Sequence, residues 1–444
     1  MKEWLLRRTQ VLSSRNFGLY YTGYVSSLLG SGMSTVAMAW AVLDSGATAV
    51  GLGAVMAATV VPQVVLMAFA GAIADRYGRR RMMLAADLGR TLSQGVLAAA
   101  LLLPEPFAGR PPLWLFVGLA AIRGVGQAFY SPAMSALTAE IAPRDKLGDA
   151  NAMYQMGRSI ATVAGPALGG VLVAVTSPGV VVAIDSTTFG ISVLMLSLLK
   201  LPSTSKPVKD ACDKISESAA RAKKSTIWAE MGEGWRDFRS RSWLWIITLQ
   251  FAFFNLITWS PWMVLGPVLA RQYLGGAAAW GAVMAAEGGG AIIAGVLLLG
   301  RRPRRPMLIA MIGAICFALP DIPMALYAPA AWVAAAAFIS GVGDTVFNVF
   351  LAAAMQQQVP TEKLARVSAF TDFPAFGIGV IGYLIEGTLS STFGPTTLFA
   401  AGAIYGIASS ALILTLPAIR SVPWRGDDGA EEQESLGSPT LVAD

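Results

Sequence analysis

Long apolar stretches alternate with short polar ones along almost the whole chain. From Phe17 onward twelve apolar stretches follow one another, over residues 17–43, 50–74, 82–103, 112–139, 150–176, 178–199, 243–271, 278–300, 306–327, 329–355, 367–388 and 394–416. Each has about the 20 residues that a helix rising 1.5 Å per residue needs to cross roughly 30 Å of hydrocarbon. The pattern predicts an all-α membrane protein with twelve transmembrane helices. The longest interior polar segment, 200–242, divides the stretches six and six. It is rich in Lys, Ser and Glu, and its part from Trp228 to Arg239 reads as a short interfacial helix. The expected organisation is an N-terminal six-helix bundle over 1–199, a cytoplasmic central loop over 200–242, and a C-terminal six-helix bundle over 243–416. A disordered cytoplasmic tail follows over 417–444, carrying Glu431, Glu432 and Glu434.

Composition sharpens this picture. Of 444 residues, 55% are hydrophobic and 14% charged, against roughly 25% charged in an average soluble protein. Such a mixture excludes a disordered chain, a coiled coil and an ordinary soluble enzyme. Two cysteines, Cys212 and Cys316, exclude a disulfide framework. With no histidine in the chain the usual zinc spacings are missing, and any proton-handling group must be something else. No cofactor and no metal are expected. A net charge of +6 raises the question of a nucleic-acid partner, but 28 of the 33 Lys and Arg residues fall on one side of the membrane if the N-terminus is inside. Only Arg110 and Arg271 fall outside, while Arg90, Arg123 and Arg158 lie within apolar stretches. Positive charge of this kind orients a membrane protein, with both termini in the cytoplasm, and no nucleic-acid partner is implied. Residues 1–16 are polar, contain no cleavable apolar segment, and read as a cytoplasmic start.

The two halves repeat. Gly124-Val125-Gly126 recurs as Gly341-Val342-Gly343, displaced by 217, and at the same displacement Pro143 to Leu147 matches Pro360 to Leu364. Gly165 and Gly170 land on Gly382 and Gly387. Earlier in the halves, Gly53-Ala54-Val55-Met56-Ala57-Ala58 recurs unchanged as Gly281-Ala282-Val283-Met284-Ala285-Ala286. Two such halves, related by an axis along the membrane normal, are a known transporter architecture with the substrate site near the midplane between them.

Three motifs stand out. After the second stretch comes Gly71-Ala72-Ile73-Ala74-Asp75-Arg76-Tyr77-Gly78-Arg79-Arg80, which resembles the G-x-x-x-D-R-x-G-R-R loop of the major facilitator superfamily at every defined position. The resemblance implies a conformational latch of Gly71, Asp75, Arg76, Gly78, Arg79 and Arg80 with Glu140, holding the outward-open state. Asp75 would sit at the N-terminal end of the eleventh helix, near Val367, and Arg79 would pair with Glu140. The equivalent loop, Arg301-Arg302-Pro303-Arg304-Arg305-Pro306, keeps the charge and lacks the acid. In the fifth stretch, Gly165-Pro166-Ala167-Leu168-Gly169-Gly170 resembles the core of the superfamily's exporter motif, with Ala152 and Ala161 in place of its two upstream glycines. Its physical role is a proline-kinked helix on which a partner closes. Arg123-Gly124-Val125-Gly126-Gln127 resembles an R-x-x-Q-G arginine motif with Gly and Gln transposed. Arg123 therefore reads either as a structural salt bridge or as a cavity charge that couples transport or meets substrate. Residues 15–40 and 128–152 are similar to the branch that contains macrolide efflux proteins and enterobactin-type siderophore exporters.

Asp87, Asp185, Glu287, Asp321, Asp344, Asp372 and Glu386 lie inside apolar stretches, where a lone charge is unfavourable. Asp87 and Arg90, three apart, are expected to pair. Asp185 and Asp321 are expected to be packed or paired on peripheral helices, and Glu386 to reach the membrane interface. That leaves Asp344 and Glu287, then Asp372, as candidates for proton coupling. The repeat partners of Asp344 and Glu287 are Gln127 and Thr59, which do not titrate. Candidate cavity-lining residues are Met38, Trp40, Gln127, Phe254, Trp259, Trp262 and Phe347. The expected protein is a monomeric secondary transporter of the plasma membrane with the major facilitator fold. It would export lipophilic or amphipathic small molecules, a macrolide-like drug or a siderophore, in exchange for protons. Proton-coupled nutrient uptake and a non-transporting receptor or scaffold remain alternatives. An embedded enzyme does not fit, since the chain has no phosphate-cradling loop, metal cluster or nucleophile–base pair.

Overall fold

Twelve helical rods follow one another among the described residues of the computed structural model. It describes residues 14–103, 107, 110–141, 147–199, 235–236, 238–298, 301, 303, 305–359 and 361–420. The rods are α1 (Arg15–Asp44), α2 (Ala49–Tyr77), α3 (Arg79–Leu102), α4 (Leu113–Ile141), α5 (Leu147–Val175), α6 (Pro178–Ser197), α7 (Ser242–Leu274), α8 (Ala277–Leu298), α9 (Pro306–Ala325), α10 (Ala330–Gln358), α11 (Thr361–Phe393) and α12 (Pro395–Thr415). Ten are long and apolar enough to cross a membrane on that criterion alone. The other two are α3, which opens on Arg79, Arg80 and Arg81 and carries Asp87 and Arg90, and α11, whose sequence holds five charged residues.

Helix ends overrun the apolar stretches because polar residues continue the helix past the hydrocarbon; α11 starts at Thr361 rather than near Val367. Gly78 separates α2 from α3 at φ +91°, and Gly275 and Gly276 end α7 at φ +99° and +88°, backbone that only glycine adopts without strain. The ninth rod is not the continuous helix its hydropathy suggests. It stops at Phe317 and resumes at Asp321, after Pro320, which has no N–H to continue the ladder. The seventh is interrupted by two π turns, Asn255–Trp259 and Ala270–Leu274. Residues 417–420, expected to open the tail, form a further helical turn whose Ile419 is buried. The rest of the tail, most of the central loop, and Trp228 and Cys212 within it lie outside the described residues. The described part of the loop, 235–236 and 238–240, is helical, and Trp235 and Phe238 pack on Phe370 of α11.

Packing follows the repeat. Within the first half α1 packs on α5 and α6, α2 on α4, and α3 on α4 and α6. In the second half α7 packs on α11, α8 on α10, and α9 on α10 and α12. The halves meet through α5 against α8 and α2 against α11, which are equivalent pairs. The end of the bundle holding residues 15 and 415 is called the terminal end here, and the opposite one the far end. At the far end one apolar core runs through both halves, joining Met38, Val42, Leu52, Leu97 and Phe116 to Trp262, Leu265, Trp280, Val333 and Phe399. At the terminal end the described core is split. One cluster, around Phe17, Tyr20 and Tyr154, belongs to the first half; another, around Leu244, Met311 and Phe350, belongs to the second.

Candidate functional site

Small residues bring the two halves into backbone contact at the far end. A Cβ placed on Gly170 of α5 would lie 2.8 Å from Gly281 Cα of α8, and one on Gly281 would lie 2.6 Å from Pro166 O. On another face of α5, a Cβ on Gly165 would lie 2.7 Å from Gly32 Cα, and one on Gly169 2.7 Å from Met33 Cα. The glycine–proline motif thus does two things. Gly165 and Gly169 pack α5 on α1 within its own bundle, and Gly170 closes on the other bundle. The second seam is equivalent: Gly53 of α2 faces Tyr383 O, and Gly387 of α11 faces the Val50 backbone, with no room for a side chain at either. Arg271 and Asp44 bridge α7 and α1 at this same end, at 3.0 Å. Both are nearly half exposed, so their attraction contributes at most about 1 kcal/mol.

Inside the N-terminal bundle the buried acids have arginines near them. Asp87 and Arg90, one turn apart on α3, form a fully buried ion pair. Ser192 Oγ donates to Asp87 Oδ2 at 2.6 Å, and Arg90 Nη1 donates to Gln127 Oε1 at 3.1 Å. The guanidinium lies over the rings of Tyr130 and Phe189, 4.2 and 4.7 Å from their centroids. Asp185 Oδ2 accepts from Gln94 Nε2 at 2.6 Å, and Arg123 is near enough to attract its charge. Replacing Arg90 by methionine strands a buried carboxylate, which typically costs ~3–5 kcal/mol. Thermal unfolding in detergent should show that loss for Arg90→Met. The double replacement Asp87→Leu, Arg90→Met should regain most of it.

The C-terminal bundle holds its acids differently. Glu287 on α8 and Asp344 on α10 come from helices in backbone contact, because Gly341 fits against Glu287 O and Gly290 against Phe338 O. The two carboxyls are close enough for their charges to interact unfavourably. Asp344 accepts from Asn348 Nδ2 at 2.7 Å, whereas Glu287 Oε2 is buried against the Trp262 indole. Glu287 also lines a small cavity of about 10 Å³ with Asp321, Phe254, Thr258, Trp259, Trp262, Phe317 and Ser340. The first π turn of α7 builds one wall. Ser260 Oγ donates to Asn255 O at 2.8 Å across it, and Thr258 Oγ1 donates to Gly402 O of α12 at 3.0 Å, which fixes Trp259 and Trp262 around the space.

Phe254, Trp259, Trp262 and Glu287 are therefore brought together, and Asp344 stands beside them. Met38 and Trp40 are packed in the shared far-end core, Phe347 stacks on Phe251 at 5.3 Å in the terminal-end core, and Gln127 is held by Arg90. Arg80 donates to Leu196 O at 2.8 Å and Ser197 O at 2.6 Å, tying α3 to the end of α6. Position 71 and the side chains of Asp75, Arg76, Glu140 and Asp372 lie outside those described. One acid sits differently from expectation. Glu386 does not reach the interface: it is 2% exposed, its Oε1 without a described partner, and it interacts with Asp321, also 2% exposed. The sequence carries one signal for this. Neither Asp321 nor Glu386 has a basic residue within four positions, whereas Asp87 has Arg90.

Two equivalent six-helix halves, joined by backbone seams at one end and with separate cores at the other among the described residues, define a multi-pass membrane transporter. Residues 20–383 match the family model of the Major Facilitator Superfamily, and the chain belongs to that family. It is 25% identical over 415 residues to multidrug efflux pump Tap of Mycobacterium tuberculosis, covering 88% of this chain and 91% of that one. It is 23% identical over 286 residues to macrolide efflux protein A of Streptococcus pyogenes, covering 64% of this chain and 66% of that one. Among solved structures, the nucleoside transporter NupG superposes with a TM-score of 0.64 at 11% identity, over 90% of this chain and 98% of that one, a likeness of fold.

Proposed function

We propose that this transporter exports lipophilic or amphipathic small molecules from the cytoplasm across the plasma membrane, in exchange for protons. The excess of Lys and Arg in the segments on the terminal side supports placing that end in the cytoplasm. The far end then faces outward, and the shared far-end core with its two seams is the closed outer gate in this reading. Relatives named for multidrug and macrolide efflux support an exporter of drug-like molecules. The observation that carries the coupling is the contrast between the halves. Asp87 of the N-terminal bundle is ion-paired with Arg90, and Asp185 lies within the field of Arg123, while no cation among the described residues acts on Glu287 or Asp344, which face each other. Two carboxyls so placed cannot both hold a charge cheaply, so a proton is the natural third party.

In this cycle Asp344 and Glu287 take up a proton while the site faces outward and release it inward as substrate enters. The latch of Gly71, Asp75, Arg76, Gly78, Arg79, Arg80 and Glu140 would hold the outward-open state, and Asp372 is a further coupling candidate on α11. Everted membrane vesicles test the reading. Adding ethidium or erythromycin should dissipate a preformed inside-acid gradient, and Asp344→Asn should reduce that response at least tenfold. An unchanged response in Asp344→Asn removes Asp344 from the coupling. No proton movement with any probe removes antiport.

A further inference from the structure

We propose that Glu386 and Asp321 form the outer stations of a proton path inside the C-terminal bundle, which delivers protons through the cavity to Glu287 and Asp344. The proposal rests on the antiport reading and adds its route. Of the four carboxyls, Asp321 and Glu386 form a shallow pair below the far end, and Glu287 and Asp344 a deeper one. At 1.5 Å per residue, Asp321 lies four residues before the end of α9 at Ala325, about 6 Å in, and Glu386 seven before the end of α11 at Phe393, about 10 Å in. By the same measure, Glu287 lies ten residues after Ala277 on α8, about 15 Å deep, and Asp344 fourteen after Ala330 on α10, about 21 Å deep.

Successive members are linked. Glu386 and Asp321 are near enough for their charges to interact, Asp321 and Glu287 line the same cavity, and Glu287 faces Asp344. One oxygen on each of the first two, Glu386 Oε1 and Asp321 Oδ2, is buried with no hydrogen-bond partner among the described residues, and Glu287 lies against the Trp262 indole in the cavity wall. Orphaned polar atoms around a shared space are what water satisfies. At about 10 Å³ the cavity is far below the roughly 300–1,000 Å³ of pockets for drug-sized ligands and has room for about one water, so it suits a proton relay and not the exported molecule.

A protonated Asp321 gives its proton to a cavity water, and that water gives one of its own to Glu287 Oε2. The water is regenerated, the charge on Asp321 becomes −1 and that on Glu287 becomes neutral. Glu386 adjoins Gly387, which seals α11 against Val50 of α2. Parting that seam in the outward-open state gives Glu386 access to outside protons, and closing it, as here, seals the entry. The described groups facing these acids from neighbouring helices are Trp262 of α7, Ser340 of α10, and Gly402 of α12, which abuts Asp321 Oδ2; none of them is a cation.

The test uses full-length protein reconstituted in phosphatidylethanolamine–phosphatidylglycerol liposomes with ethidium as probe. Asp321→Asn and Glu386→Gln should each lower proton-driven ethidium transport at least tenfold, yet change ethidium exchange without a gradient by less than twofold. The double variant should be no worse than either single one, and Asp321→Glu should restore at least half of the driven rate. If wild type couples and both amide variants still couple within twofold, the path is wrong while antiport stands. Loss of exchange together with driven transport in both variants also overturns it, because the pair then serves the fold or the substrate. If wild type moves ethidium without protons, or drives it with sodium ions alone, antiport and the path fall together.

Discussion

Replacing Gly281 by leucine is expected to abolish transport while leaving the protein folded and inserted. Its Cβ would lie 2.6 Å from Pro166 O and 2.9 Å from Gly170 Cα, so an isobutyl group has nowhere to go while α5 and α8 are in contact. The two helices belong to different bundles, and separating them by the width of a side chain keeps each bundle's own core intact. The far end would then stay open, and the cycle would stop at the outward-open state. Transport of a fluorescent probe should fall at least a hundredfold, about 2.8 kcal/mol or more against the closed state at roughly 1.4 kcal/mol per decade. Melting temperature in detergent should change little. Gly295→Leu is the control, since it lies on the same helix with open space around its Cβ position. If Gly281→Leu transports at more than a tenth of the wild-type rate, the seam does not have to close.

The second large effect falls on folding. A Cβ on Gly341 would overlap the carbonyl oxygen of Glu287, and no rotamer relieves a clash between a Cβ and backbone. Gly341→Val should therefore push α10 off α8 inside one bundle, at a cost of about 3 kcal/mol or more. It should also move Asp344 away from Glu287. Size-exclusion chromatography of the solubilised protein should show little monodisperse material, whereas Gly289→Val, at a position with nothing near its Cβ, should behave as wild type. Normal yield and melting of Gly341→Val would mean that the two helices do not need backbone contact.

Much of this architecture is written along the chain because the bilayer demands contiguous length. A run such as 394–416 announces its helix without reference to any other segment, and each of the twelve stretches became a rod. The seams were half legible. The recurrence of Gly53 at Gly281 and of Gly170 at Gly387 marked equivalent positions, while the contacts they make depend on how each helix is rotated about its axis. The pairing of Asp87 with Arg90 could be read from spacing because both sit on one helix. The meeting of Glu386 with Asp321 could not, since it joins α11 to a short turn created by the break at Pro320. Candidate cavity residues failed in the same way. Phe254 and Phe347 are both buried aromatics, and only their rotation puts one on the cavity and the other on Phe251.

The two far-end seams are made of backbone against backbone, apart from the weak rim pair of Asp44 and Arg271. Contacts of that kind have no proton to gain and almost no charge for salt to screen. Acidity can therefore act on this gate only at a distance, through the interior of the second bundle. Forces that squeeze helices together bear on it directly, and foremost among them is the lateral pressure of the lipid. A membrane of changed thickness or tension should shift the gate at constant pH, with the same substrate on both sides.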